Sequence, residues 1–169
     1  MRILGIDPGI GRLGWGIVEV QSAILRRDSG QECKVQSFGC IETNPKLSVQ
    51  QRLLEIYQTL TEIIEKEKPD SMAVEELFFN TNAKTAMVVG QARGVVLLLG
   101  AQHNLPIGVY TPLQVKMAVV GYGRAEKAQV GQMVKVILKL PTVPKPDDTA
   151  DALAVALTHA FSYKIKKLQ

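Results

Sequence analysis

Residues 1–20 read MRILGIDPGIGRLGWGIVEV. The run from Arg2 to Ile6 is apolar and stops at Asp7-Pro8-Gly9, a turn signal. Leu13 to Val20 alternates as a second strand, and Cys33 to Glu42 reads as a third. The polar stretch Gln21 to Gln31 between them reads as a hairpin loop, so the chain opens with an antiparallel meander.

The pattern changes after the meander. Ser48 to Lys66 places Leu53, Leu54, Ile56, Tyr57, Leu60, Ile63 and Ile64 at helical spacing, and Pro69 closes that helix. Ser71 to Val74 is a short buried strand, Asn82 to Gln102 a second helix and Pro106 to Tyr110 a fifth strand. Helical segments follow near Leu113 to Val120, Ala125 to Leu138 and Asp148 to Lys164, and the basic tail Lys164 to Gln169 is expected to fray. Three strands, then alternating helix and strand, then helices, predict an α/β fold. Its five-stranded mixed sheet has the meander first and parallel strands after it, with helices on both faces.

The 169 residues suit a single domain spanning 1–169, and 46% hydrophobic with 21% charged residues is an ordinary globular mix. Disorder as the main state is excluded by that composition. No apolar run reaches the roughly 18 residues of a membrane span, and MRILGIDPG has no secretory apolar region. A cytoplasmic protein is expected. Cys33 and Cys40 are separated by an odd interval, so on a continuous strand they face opposite sides and form neither a disulfide nor a metal pair. A net charge of +4 permits nucleic-acid binding without requiring it.

Acids at strand ends are the candidate chemistry. Asp7 ends the first strand and Glu75 the fourth, while Glu76 points the other way. Asp148 and Asp151 are three apart, on one face of a helix start. Each has a structural alternative. Asp7 fits a turn, Glu75 a solvated strand end, and acids in a first helical turn complement the dipole. Asp147 is expected to take that last part, next to Pro146. Asp151 lies further in and precedes Ala152-Leu153-Ala154-Val155-Ala156-Leu157, a helix that must be buried. An acid on its inner face needs a compensating partner, and a metal is one. Hard divalent cations take oxygen ligands, and carboxylates converging from separate elements are what a two-metal phosphodiester site needs.

Five segments carry a family resemblance. ILGIDPG (3–9), AVEELFF (73–79), GQARG (90–94), VVGYGRAEKAQV (119–130) and DDTADALAVALTHA (147–160) resemble the RuvC family of Holliday-junction resolvases, in order and along nearly the whole chain. The resemblance implies an RNase H-like fold, a homodimer, and magnesium-dependent symmetric nicking of four-way DNA junctions in recombination and repair, leaving 5′ phosphates. It assigns Asp7, Glu75, Asp148 and Asp151 as catalytic metal ligands, with Asp147 the competitor for the third place. It implies two magnesium ions per subunit, with manganese able to substitute, and a RuvA-RuvB branch-migration complex as a possible partner. The 21–31 loop looks longer, and the C-terminal tail shorter, than in familiar members.

Around the acids, Lys116, Arg124 and Lys127 cluster about Gly121-Tyr122-Gly123, where the glycines allow close approach of backbone to phosphate. The resemblance puts Lys116 and Lys127 near the scissile strand; a solvated helix start is the alternative. Tyr122 and Arg124 belong to the same DNA-contact set. Phe78 matches the family aromatic that stacks on a base, worth about 1–3 kcal/mol, unless Phe78 and Phe79 both pack beneath the next helix. Ala86, Gly90 and Gly94 form a small-residue stripe, either a dimer seam or a helix lying tight on the sheet. The family favours the seam. Arg93 could face the dimer or the DNA, and His103 and His159 read as structural or solvent-facing. Two other readings stay open: an RNase H-like nuclease acting on RNA or RNA–DNA hybrid, and a junction-binding protein that does not cleave. A sugar-kinase-like phosphate-binding domain would need a second glycine-rich loop and a longer chain.

Overall fold

The computed structural model describes residues 1–21, 32–76 and 83–167. Strands β1 (Arg2–Asp7), β2 (Arg12–Gln21) and β3 (Glu32–Glu42) come first. Then follow α1 (Val49–Glu67), β4 (Ser71–Glu75), α2 (Ala83–Gln102), β5 (Ile107–Tyr110), α3 (Pro112–Val120), α4 (Lys127–Ile137) and α5 (Asp147–Lys167). The expected 21–31 loop falls, beyond Gln21, outside the described residues. The tail does not leave the helix where expected: α5 continues to Lys167.

The five strands lie in the order β3-β2-β1-β4-β5. β1, β2 and β3 pair antiparallel, while β4 runs parallel to β1 and β5 parallel to β4. This is the five-stranded mixed sheet that the order of elements predicts, in the RNase H-like form that the resemblance implies. Alternation along each strand divides the core in two. Leu4, Ile6, Ile17, Met72 and Val74 pack with Ile56 and Leu60 of α1 and Val96 and Leu99 of α2. Ile3, Val18, Val20 and Ala73 pack on the other face with α3, α4 and α5.

Local signals explain the element ends. Ser48 caps α1 in a reciprocal box with Gln51, and Lys68 closes it in the left-handed conformation before Pro69. Thr111 and Gln114 form the same box at α3, which ends at Gly121 with φ 80°. α5 is buried nearly all round from Thr149 to Ala160, so it cannot sit on a solvated face.

The approach of α5 to the sheet is set by three glycines on one face. A Cβ at Gly5 would stand 2.7 Å from the Ala156 Cβ and overlap the Ala152 carbonyl oxygen. One at Gly14 would overlap the Asp148 carbonyl oxygen, and one at Gly16 would meet Leu153 at 2.5 Å. Gly14 pairs with Asp7 in the ladder, so the first turn of α5 is pressed against the end of β1.

The cysteine geometry differs from expectation. The β2–β3 register shifts between Ile17 and Val18, with Ser37 and Val35 opposite them, leaving Gln36 as an extra residue. A bulge reverses the parity of the strand beyond it. Cys33 therefore joins the α5-side core, and Cys40, paired with Gly14, lies on that same side near Asp148. They remain free thiols, seven positions apart and roughly 23 Å along the strand at 3.3 Å per residue.

Candidate active site

Asp7 and Glu75 occupy the ends of neighbouring parallel strands, both on the face that carries α5. Ile6 pairs with Val74, so the next position along brings the two carboxyls side by side, and they share a hydrogen bond. The last row of the sheet runs from Cys40 through Gly14 and Asp7 to Glu75 and Tyr110. Across it comes the first turn of α5, bringing Asp148 and Asp151.

The electrostatics identify these acids as one cluster. Asp7 is pushed up to about 8, first by burial and then by the charges of Glu75, Asp151 and Asp148. Burial also raises Glu75, against the opposing hydrogen bond from Asp7 and the nearby charges of Lys127 and Lys116. Asp151 is raised by burial, which the bond and charge of Lys127 counteract. Like charges crowded in a shielded place hold protons that isolated carboxylates would lose.

The choice between Asp147 and Asp148 has a geometric answer as to which faces the cluster. Asp147 is fully exposed and its carboxylate binds Lys145 Nζ at 2.6 Å, a pairing that lowers its pKa. It adds charge to the first turn of α5, but its side chain is engaged by Lys145. Asp148 is half-buried, acts on Asp7, and faces Arg12 Nε at 3.6 Å. Arg12, at the first position of β2, was not among the expected site residues. Its position just beyond the Asp7-Pro8-Gly9 turn was the available signal.

Cations close the other side. Lys127, the first residue of α4, places Nζ 2.5 Å from Asp151 Oδ2. Lys116 of α3 joins Lys127, Glu75 and Asp151 in the wall of a cavity of about 230 Å³ between α3 and α4. Tyr122 and Arg124 lie exposed on the α3–α4 connection and take no part in that wall. Phe78 and Phe79 lie outside the described residues. His159 is buried with Nδ1 2.9 Å from Tyr110 Oη. Arg93 is half-buried, with a buried Nε that finds no hydrogen-bond partner among the described residues.

The donor set suits a hard divalent cation, being all oxygen and carrying excess negative charge. Among the described residues no three of these groups already surround a common point. The acids are engaged elsewhere: Lys127 pairs with Asp151, Arg12 with Asp148, and Asp7 bonds Glu75. An ion would replace those partners, and its charge would offset both the burial and the neighbouring carboxylates that displace Asp7 upward.

Comparison with known proteins gives this geometry a family. The family described as crossover junction endodeoxyribonuclease RuvC matches residues 3–159. The chain belongs to the RuvC family. A RuvC of Alkaliphilus metalliredigens is 56% identical over 99% of this chain and 98% of its own length. That of Desulforamulus reducens is 53% identical over 95% of this chain and 93% of its own. The solved RuvC of Thermus thermophilus superimposes with a TM-score of 0.87 at 37% identity, covering 98% of this chain and 97% of that one. The same protein in complex with a Holliday junction gives 0.85 at 35% identity, covering 98% and 96%. The yeast mitochondrial resolvase Ydc2 shares the fold at 15% identity, with a TM-score of 0.59, over 99% of this chain and 84% of its own. Membership in the RuvC family therefore extends over all the elements that build the acid cluster.

Proposed function

We propose that this RuvC family member resolves Holliday junctions through a metal site held by Asp7, Glu75, Asp148 and Asp151. As a family member it is a crossover junction endodeoxyribonuclease, a hydrolytic nuclease that acts on four-way DNA. The observation that supports the site is the gathering of these acids from β1, β4 and α5 beside Lys116 and Lys127.

The family's nucleases are metal-dependent. We assign the ions as magnesium, two per subunit, with manganese as a substitute. When bound, magnesium supplies a water-derived nucleophile at neutral pH and stabilises charge on the departing 3′ oxygen. The chain's own residues prepare that chemistry. To hold the ions, Asp7 would release its proton to solvent, Lys127 would leave Asp151, and Arg12 would leave Asp148. Released, Lys127 joins Lys116 in neutralising the scissile strand as it settles over the acids. Tyr122 and Arg124 contact the strand further out, and Phe78 stacks on a base at the junction centre. Hydrolysis leaves a 5′ phosphate.

Two related phosphates must be cut, which calls for two identical sites and a homodimer. The stripe on α2 supports that arrangement. Ala86 is half-buried, Gly94 is exposed, and a Cβ at Gly90 or Gly94 would meet nothing within 4 Å among the described residues. The two glycines face open space rather than the sheet, which favours a seam between subunits. The whole chain acts as one nuclease domain in the cytoplasm, where a RuvA-RuvB complex could hand it the junction. No helix among the described residues is long and apolar enough to cross a membrane.

Incubation with a labelled four-way junction, linear duplex and RNA–DNA hybrid in magnesium tests the substrate. Paired nicks confined to the junction are expected; preferential cleavage of the hybrid contradicts the reading.

A further inference from the structure

A basic pocket lies on the flank of the acid cluster away from Lys116 and Lys127. It holds about 370 Å³ between the start of β2, the end of β3 and α1, and is lined by Gly11, Arg12, Glu42, Thr43, Pro45 and Arg52. Thr43 organises it. Its hydroxyl donates to the Ile10 carbonyl at 2.5 Å and accepts from Arg52 Nε at 2.8 Å, while its N–H bonds the Gly11 carbonyl at 3.1 Å. A Cβ at Gly11 would stand 3.5 Å from Arg52 Nη2, so the half-buried guanidinium rests on the turn itself. Nε is thereby used to aim the group, and Arg52 has no carboxylate within ion-pair distance among the described residues. Arg12 lines the same pocket and reaches Asp148 on its other side.

Two guanidinium groups, one fixed by a hydroxyl relay and the other paired with Asp148, line one pocket, and the planar N–H donors of each suit a phosphodiester. Glu42, opposite Arg12 in the β2–β3 ladder, contributes an opposing charge, but it is exposed and screened. We infer that the Arg12–Arg52 pocket is a subsite for a DNA backbone phosphate flanking the cleaved one, opposite the lysine flank. A strand crossing the acids would then be held on both sides: Lys116 and Lys127 on one, Arg12 and Arg52 on the other. The inference rests on the junction-nuclease reading above. It makes Arg52 a binding residue and leaves Glu42 a restraint on affinity.

Junction binding by the full chain, measured in EDTA to prevent cleavage and at salt from 50 to 200 mM, tests it. Each phosphate contact contributes about 0.9 to the slope of log affinity against log salt. Arg52→Gln should lower that slope by about one, so its loss of affinity over this range is about four-fold smaller than that of the unsubstituted protein. Glu42→Gln should do the opposite and bind more tightly at every salt concentration. A merely structural Arg52 predicts an unchanged salt slope in Arg52→Gln, and Glu42→Gln, which acts on the pocket whichever arginine binds, carries the test of the subsite if Arg52→Gln fails to fold. Slopes and affinities of both variants matching those of the unsubstituted protein would overturn the subsite while leaving the nuclease reading intact. An unsubstituted protein that does not bind the junction at all would overturn both.

Discussion

A carboxyl displaced to about 8, as Asp7 is, binds a proton in the folded protein across a range where the unfolded chain has lost it. Between the ordinary carboxylate range and that value the folded state carries the extra proton, so stability falls as pH rises. Glu75 and Asp151 are displaced in the same direction, which reinforces the sign. Without metal, thermal stability should therefore decline from pH 6 to pH 9. Asp7→Asn should remove much of that decline and raise the midpoint at pH 9 by at least about 2–4 °C, the shift expected per kcal/mol in a chain of this size. Magnesium should restore stability at high pH in the unsubstituted protein and far less in the variant; calorimetric melts with and without the ion check both statements. Metal affinity should rise with pH through about 8, because binding displaces the Asp7 proton. Lys127→Ala should flatten the salt dependence of junction binding by about one phosphate, as read by fluorescence titration. Lys127 now neutralises Asp151, so the same change should push the Asp151 carboxyl still higher.

At the scale of elements, the site depends on how closely α5 lies on the meander. Gly14→Ala would set a methyl group against the Asp148 backbone, which cannot yield without moving the helix. Overpacking of this kind costs about 1–3 kcal/mol. It should lower the melting midpoint by several degrees and, by displacing Asp148 and Asp151, reduce cleavage more than binding; paired melting and single-turnover assays read the two effects. The elements were largely legible in the sequence because hydrophobic periodicity follows from burial. The apolar positions Ile56, Leu60 and Ile64 announce α1, and the unbroken apolar run after Asp151 announces a buried helix. The bulge at Gln36 left no such trace, since an extra residue in a strand of mixed polarity preserves plausible alternation on either side. It is this bulge that brings Cys33 and Cys40 to the same side of the sheet. The close helix approach at Gly5, Gly14 and Gly16 emerges only in the packed structure, where each glycine meets α5. Arg52 was no more legible, because it reaches the turn by tertiary contact through Thr43 rather than by spacing. Asp147 and Asp148 stand side by side in one helical turn, and only the position of Lys145 and the placement of Arg12 separate them.

For the molecule as a whole, open space beside Gly90 and Gly94 gives the dimer proposal a test independent of catalysis. Gly94→Ala should not harm the subunit fold, and removing a helical glycine contributes roughly 0.5–1 kcal/mol of stability. Gly94→Leu, by contrast, should block a close seam and shift sedimentation toward monomer at micromolar concentration. A dimer unchanged by Gly94→Leu would place the interface elsewhere. Junction resolution by this chain depends on the union of acids, metal and junction. It is tested most directly by giving a four-way DNA junction with magnesium to the unsubstituted protein and to Asp7→Asn, and measuring binding and strand cleavage in the same samples. Symmetric nicks bearing 5′ phosphates from the unsubstituted protein are expected, with cleavage lost and binding retained in the variant. Full cleavage by Asp7→Asn would contradict the account.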